Sequence, residues 1–262
     1  MLSFGRIPQL ILSKKINRNK ALGVFSTLSG TALAVIEGAL ENCPRITICE
    51  YLQPETKISE YVNIHALRKS VCVDVLPFSD YSLLKVDLQG VSDDEKREAA
   101  RWQIRELIDY PAEDAVLDIV DVPIVGEEAK TRTFVVAAPM TALKLRASEL
   151  VAADLHLDAI DIPELALRNL LELYQDEPRG HCLLWLREKS GLLIICRGET
   201  FFFSRTINVG MEHFKSADMT GGDGLLSENT QSLLDGIVLE VQRSFDYCES
   251  NFRLPPVPTA VS

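Results

Sequence analysis

Residues 21–52 hold three short apolar runs, ALGVFST, TALAVIEGAL and RITICEYL, rich in Val, Ile, Leu and Thr. Turn residues at Ser29-Gly30 and at Asn42-Cys43-Pro44 separate them, and this alternation predicts three strands joined by tight connections. The same plan returns at 181–209: HCLLWL, a turn at Lys189-Ser190-Gly191, LLIICR, a tight turn at Arg197-Gly198-Glu199, then TFFFSRTINV. Two such passages roughly 160 residues apart predict two related lobes built on one pattern rather than a short repeat.

The middle of the chain reads as mixed. After a strand at YSLLKVDL, the hydroxyl and acids of Val91-Ser92-Asp93-Asp94-Glu95 suit a helix amino terminus, with Asp93 or Asp94 as its cap. Over 93–109, Ala100, Ile104 and Ile108 recur at i+4 and face inward, until Tyr110-Pro111 ends the helix. Trp102 then lies about 160° around the helix from Ile104, off that stripe. AVLDIVDVP and TRTFVVAAP predict two strands with a turn over Gly126-Glu127-Glu128-Ala129-Lys130. A helix from Thr141 turns Leu143, Ala147, Leu150 and Val151 inward, and Pro163 opens another over ELALRNLLELY. A last long helix starts near Glu228, with Leu233, Ile237, Val241 and Phe245 as its inward row. Met219 to Gly224 reads as a loop, and the proline-rich end RLPPVPTAVS as a linker.

Composition narrows the class. A chain of 262 residues, 47% apolar and 25% charged, is an ordinary globular protein with room for two lobes. Its net charge of −11 argues against a nucleic-acid-binding face. The first twenty residues are the exception, carrying Arg6, Lys14, Lys15, Arg18 and Lys20 without an acid; they read as a solvated tail or as a contact for anionic lipid or an acidic partner. No apolar run approaches the about 18–20 residues of a membrane span, so a soluble protein is expected. Six cysteines without a CxxC pair, mostly in strand-like contexts, suit reduced core thiols.

Candidate chemistry is sparse. The four histidines show no zinc-ligand spacing, and His156 with Asp158 and Asp161 reads as the junction of a helix and a strand. Asp154, Asp158, Asp161 and Glu164 lie around a helix start, which accounts for them without general acid–base work. There is no GxSxG elbow and no GxxxxGK[ST] loop, and Asp223 beside Gly221-Gly222 would repel a phosphate. No catalytic residue, metal or cofactor is therefore expected.

Four passages, in order, resemble the PilM family of type IV pilus assembly proteins, above all its MSHA (mannose-sensitive haemagglutinin) pilus branch of MshI type. EAARWQIRELIDYPAEDAVLDIVDVP is similar to that family's inserted subdomain and IDIPELALRNLLEL to its interdomain helix; SGLLIICRGETFFFSRTINVGMEHF and VLEVQRSFDYCESNF are similar to the hairpin and following helix of its second lobe. The resemblance implies an α/β, actin-like fold of two ribonuclease-H-like lobes. Its layout would be a basic tail at 1–20, a first lobe at 21–160 with an inserted α+β subdomain at about 80–125, a second lobe at 161–252 and a proline-rich end at 253–262. A glycine-rich adenosine loop expected beyond the last helix is not in the sequence, so the second lobe is expected to be incomplete.

The resemblance further implies a non-catalytic cytoplasmic scaffold at the inner-membrane face, binding the tail of a PilN-like membrane protein and linking it to the assembly ATPase. Nucleotide-binding members carry D-x-G in each lobe's first hairpin. Those positions here are Phe25 and Thr27, and Leu184 and Leu186, which offer neither the acid nor the glycine. The alternative of an ATP-binding switch or ATPase rests on Ser26, Ser29, Gly30, Thr31, Ser190 and Gly191. A further alternative is the GspL-like cytoplasmic domain of type II secretion, which shares the fold. A partner-peptide groove is expected at Trp102, Arg105 and Tyr110.

Overall fold

The computed structural model describes residues 17–38, 44–171, 179–217, 226–255 and 260–261. The readings of the basic tail before Asn17, of Cys43, of the helix beyond Leu171 and of the Gly221-Gly222 loop fall outside them. The first elements are β1 (Asn17–Thr27), β2 (Gly30–Glu37), β3 (Arg45–Leu52), α1 (Ile58–Ile64) and β4 (Ser70–Val75). Then come β5 (Ser82–Val86), α2 (Lys96–Ile104), β6 (Ala115–Ile124), β7 (Glu127–Pro139), α3 (Met140–Ala152), β8 (His156–Asp161) and α4 (Pro163–Leu171). The remainder forms β9 (His181–Leu186), β10 (Gly191–Arg197), β11 (Thr200–Ile207), α5 (Met211–Ser216), α6 (Glu228–Phe252) and β12 (Ala260–Val261). The chain divides into two compact units, Met1–Val120 with Thr133–Pro163, and Asp121–Arg132 with Glu164–Ser262.

The first unit is organised by a five-stranded sheet in the order β3-β2-β1-β4-β8. β2 runs antiparallel to β1 and β3, while β4 runs parallel to β1 and β8 parallel to β4. Period-two alternation puts Leu22, Val24, Leu33, Val35 and Cys72 into one core with Tyr61 and Val62 of α1 and Leu150 of α3. α1 and α3 end alike: Ala66 (φ 53°) and Asp154 (φ 61°) take the left-handed conformation just past the helix. The next N–H then turns back, Leu67 to Val62 O at 2.9 Å and Leu155 to Leu150 O at 3.1 Å.

A three-stranded sheet in the order β5-β7-β6 forms a second small core with α2, where Ala100 and Ile104 pack with Val86, Leu88, Ala115, Leu117, Val135 and Ala137. α2 also reaches the sheet's edges with polar side chains. Arg97 Nη1 donates to Leu117 O at 2.9 Å and Arg101 Nη1 to Ala115 O at 3.0 Å and to Ala112 O. Gln103 accepts the Asp87 N–H at 3.0 Å through Oε1 and donates to Asp87 O through Nε2, as a neighbouring strand residue would.

In the second unit the order is β11-β10-β9-β12, with β10 antiparallel to both neighbours and β12 parallel to β9. Gly191 to Cys196 of β10 are buried without a break, the mark of a strand covered on both faces. α6 is capped by Ser227, whose Oγ accepts the Thr230 N–H at 3.2 Å, and packs Phe252 edge-on to Phe202 of β11.

Several sequence expectations are corrected. The first hairpin turns at Leu28–Ser29, and Gly30 already belongs to β2, where it pairs with Thr27; a Cβ there would stand 2.4 Å from Leu52 O, so the position requires glycine. The β6–β7 turn is only Val125–Gly126, since Glu127 resumes the ladder. α2 is shorter than 93–109, and neither Asp93 nor Asp94 caps it; Asp93 instead pairs with Lys96 Nζ at 2.9 Å. Val151 is exposed and α3 buries Leu143 and Leu150. The buried line of α6 is Thr230, Ile237, Ser244, Cys248 and Phe252, with Leu233, Val241 and Phe245 half-buried beside it. Cys49, on β3, is exposed. Within the end read as a linker, Ala260–Val261 pairs with Cys182 and Leu183 of β9.

Candidate functional site

Ligands of open α/β sheets bind beyond the carboxyl ends of parallel strands, where side chains and loops of several strands converge. In the first unit that edge is defined by the ends of β1, β4 and β8, with the Leu28–Ser29 turn beside it. Hydroxyls dominate the hairpin. Ser26 Oγ lies 2.9 Å from Thr31 Oγ1, Thr27 Oγ1 lies 2.9 Å from Ser29 Oγ and donates to Gly30 O at 3.2 Å, and Ser29 N donates back to Thr27 Oγ1 at 3.3 Å. These four contacts stay within the hairpin.

Beside them stands a carboxylate with no exposed surface, Asp74 of β4. Alternation puts it there: in SVCVDV, Ser70, Cys72 and Asp74 share the buried face. Its counter-ion comes from α3, where Arg146 donates from Nε to Oδ2 at 3.0 Å and from Nη2 to Oδ1 at 2.5 Å. The same Nη2 reaches Ser26 Oγ at 3.1 Å, and Nη1 reaches Glu149 Oε2 at 3.3 Å. Burial pushes the Asp74 carboxyl above its ordinary value, against the pull of Arg146. Burial also works against the Arg146 charge, but Asp74, Glu149 and Asp80 outweigh it and raise its pKa.

The second unit's first hairpin is closed differently. Arg187 Nη2 donates to Ser190 Oγ at 2.6 Å and Arg187 N to Ser190 O at 2.8 Å, tying off the turn. The start of α5 then packs on it, with Met211 N donating to Arg187 O at 2.8 Å and Glu212 N to Glu188 O at 2.9 Å. A Cβ on Gly210 would meet Ser190 N at 2.4 Å and Lys189 C at 2.5 Å, so only glycine permits this approach. Gly191 faces Leu184 and Leu186, whose methyls would stand 3.3 and 3.2 Å from a Cβ placed on it.

Ser26, Ser29, Gly30 and Thr31 are therefore brought together in one hairpin, and Ser190 and Gly191 in another. On the inserted subdomain, Trp102 is 70% exposed and Arg105, one turn on, is also exposed. Tyr110 is half-buried against the subdomain core, its hydroxyl without a hydrogen-bond partner. Among the described residues no group of three His, Cys, Asp or Glu side chains could hold a metal ion, and no helix is long and apolar enough to cross a membrane. Sequence reasoning missed Asp74, Arg146 and Gly210. An acid on the inward side of an alternating strand was the available signal, since a buried carboxylate demands a cation.

The sheet orders, 3-2-1-4-5 in one unit and 3-2-1-4 in the other, each with its second strand reversed, are two ribonuclease-H-like sheets in one chain, and the fold is the actin-like α/β fold. Among solved structures it is similar to the PilM-PilN type IV pilus biogenesis complex, at TM-score 0.65 and 19% identity over 92% of this chain and 80% of that one. It is also similar to the cytoplasmic domain of EpsL, an inner-membrane component of the type II secretion system of Vibrio cholerae, at TM-score 0.53 and 13% identity over 79% of each chain. These likenesses establish a shared fold. No protein-family model and no curated protein matches the sequence.

Proposed function

We propose that this chain is a non-catalytic, actin-like component of a bacterial envelope machine of the type IV pilus kind, working by binding the cytoplasmic tail of a PilN-like membrane protein. The observation that carries the reading is that both first hairpins are closed from within, one by Arg146 on Asp74 and Ser26, the other by α5 on the Arg187–Ser190 turn. A nucleotide phosphate would have to displace these bonds, and the side chains at Phe25, Thr27, Leu184 and Leu186 add neither a metal ligand nor room for backbone approach. The likeness to the solved PilM-PilN complex supports the partner assignment, and the sequence resemblance supports the MSHA branch and a link to the assembly ATPase. The likeness to the EpsL domain favours a type II secretion role as the second reading.

Exposed Trp102 and Arg105 supply the anchor for the partner's tail, since tryptophan and arginine dominate binding energy at such sites, with Tyr110 supporting the turn behind them. Calorimetry with ATP and Mg²⁺ should show no binding, and a PilN-like tail peptide should bind and change the tryptophan fluorescence. Stoichiometric ATP binding, or a peptide that fails to bind folded protein, would overturn the proposal.

A further inference from the structure

We infer that Arg146 is a built-in cation: its guanidinium occupies the seat of a divalent metal ion at the carboxyl edge of the first sheet, and removing it would uncover a hard-metal site. Four oxygens from three side chains on three elements converge on this one group. They are Asp74 Oδ1 and Oδ2 from β4, Ser26 Oγ from β1 and Glu149 Oε2 from α3, at 2.5 to 3.3 Å. An all-oxygen set with two carboxylates is the donor chemistry of Mg²⁺, Mn²⁺ or Ca²⁺, not of zinc or copper. Asp80 adds a third negative charge near enough to act on both Asp74 and Arg146.

The seat is also in the right place. It lies where the parallel strands end and the hydroxyl-rich hairpin begins, which is where a metal-bound phosphate would meet such a sheet. A phosphate arriving there would need a free cation to bridge it to the Asp74 carboxylate. In this chain the carboxylate is neutralised in cis by a side chain 72 residues away in sequence, whose planar fork matches its two oxygens. The feature is thus specific: a buried carboxylate stands at this edge of the sheet and its cation is a side chain of the same chain. This deepens the reading of a closed hairpin, yet it can fail alone, because ATP calorimetry on the unaltered chain tests that reading separately.

The test is titration with Mn²⁺ alone, followed by paramagnetic resonance and by thermal melting, on the unaltered chain, Arg146→Ala and Arg146→Ala with Asp74→Asn. The unaltered chain should hold no tight Mn²⁺ and melt at the same temperature with or without it. Arg146→Ala should melt lower, bind one Mn²⁺ and recover most of the loss on adding it. The double variant should melt higher than Arg146→Ala in metal-free buffer and ignore Mn²⁺. Tight Mn²⁺ binding by the unaltered chain would overturn the inference, as would a folded Arg146→Ala that binds no more Mn²⁺ than the double variant. If Arg146→Ala folds neither with nor without Mn²⁺ while the double variant folds, a metal cannot take the seat and the inference is also overturned.

Discussion

At the scale of single residues, Asp74 and Arg146 form a buried ion pair, 0% and 11% exposed at the side chain. Two charges taken out of water stabilise little as a pair, but removing one partner strands the other. Asp74→Ala should therefore cost about 3–5 kcal/mol in chemical denaturation, whereas replacing both partners with apolar residues of similar volume should cost much less. Asp118 offers a pH test of opposite character. It is buried, its Oδ2 has no hydrogen-bond partner and Arg97 stands 3.9 Å from Oδ1. Burial pushes its carboxyl above the ordinary 3.8, against the Ile119 N–H and Arg97. A group with a raised folded pKa lends stability that is full below the unfolded value and is lost as pH rises through the folded one. Stability should fall as the solution is taken upward from the ordinary carboxylate value, and Asp118→Asn should remove that part of the slope in a series of denaturation curves.

At the scale of elements, backbone conformation makes the predictions. Ala66 and Asp154 hold left-handed positions that cost a side-chain-bearing residue roughly 1 kcal/mol, so Ala66→Gly or Asp154→Gly should leave stability unchanged or raise it by up to about that amount. Gly210→Ala should act the other way. Its Cβ would collide with backbone atoms of the 188–190 turn, and overpacking of this kind costs about 1–3 kcal/mol. Hydrogen exchange should then rise at the Met211 and Glu212 amides that now bond to the turn.

Strands were the legible part of this fold. Val/Ile/Leu runs between turn residues marked β1 to β3 and β9 to β11 because both signals are local to each strand. Helix ends were harder: α2 stops at Ile104 although Ile108 continues the apolar row, since the chain must bend to bring Ile108 and Tyr110 back onto the same small core. The closed site was least legible. Ser26 and Thr31 sit together by hairpin geometry, but Arg146 is one polar residue on an amphipathic helix, and nothing local says that it meets an acid 72 positions earlier. Gly210 likewise has a negative φ, so its need for glycine comes from a distant turn and not from its own backbone.

At the scale of the whole molecule, the two units repeat one sheet plan, while the outward-facing tryptophan sits on the insertion between strands of the first. Separation of function from stability follows. Trp102 is largely exposed, so Trp102→Ala should change the melting midpoint little and yet weaken binding of a PilN-like tail peptide by about 2 kcal/mol or more. Peptide affinity equal to that of the unaltered protein would remove Trp102 from the interface.

The manner in which α2 holds the small sheet has a bearing on solubility. Hydrogen-bonding groups on strand edges are templates for other strands, and proteins hide them with charge, bulges or a covering element. Here the β6 carbonyls of Ala115 and Leu117 accept from two side chains, Arg101 and Arg97, and Arg101 also reaches Ala112 O, which the Ala115 N–H shares. Arg101→Ala would leave the Ile104 core intact while removing the side-chain bond to Ala115 O on the strand edge. Light scattering against concentration should show such a variant self-associating at temperatures where its circular dichroism is still native. Two arginines would then act as guards against aggregation whose loss a melting curve does not register.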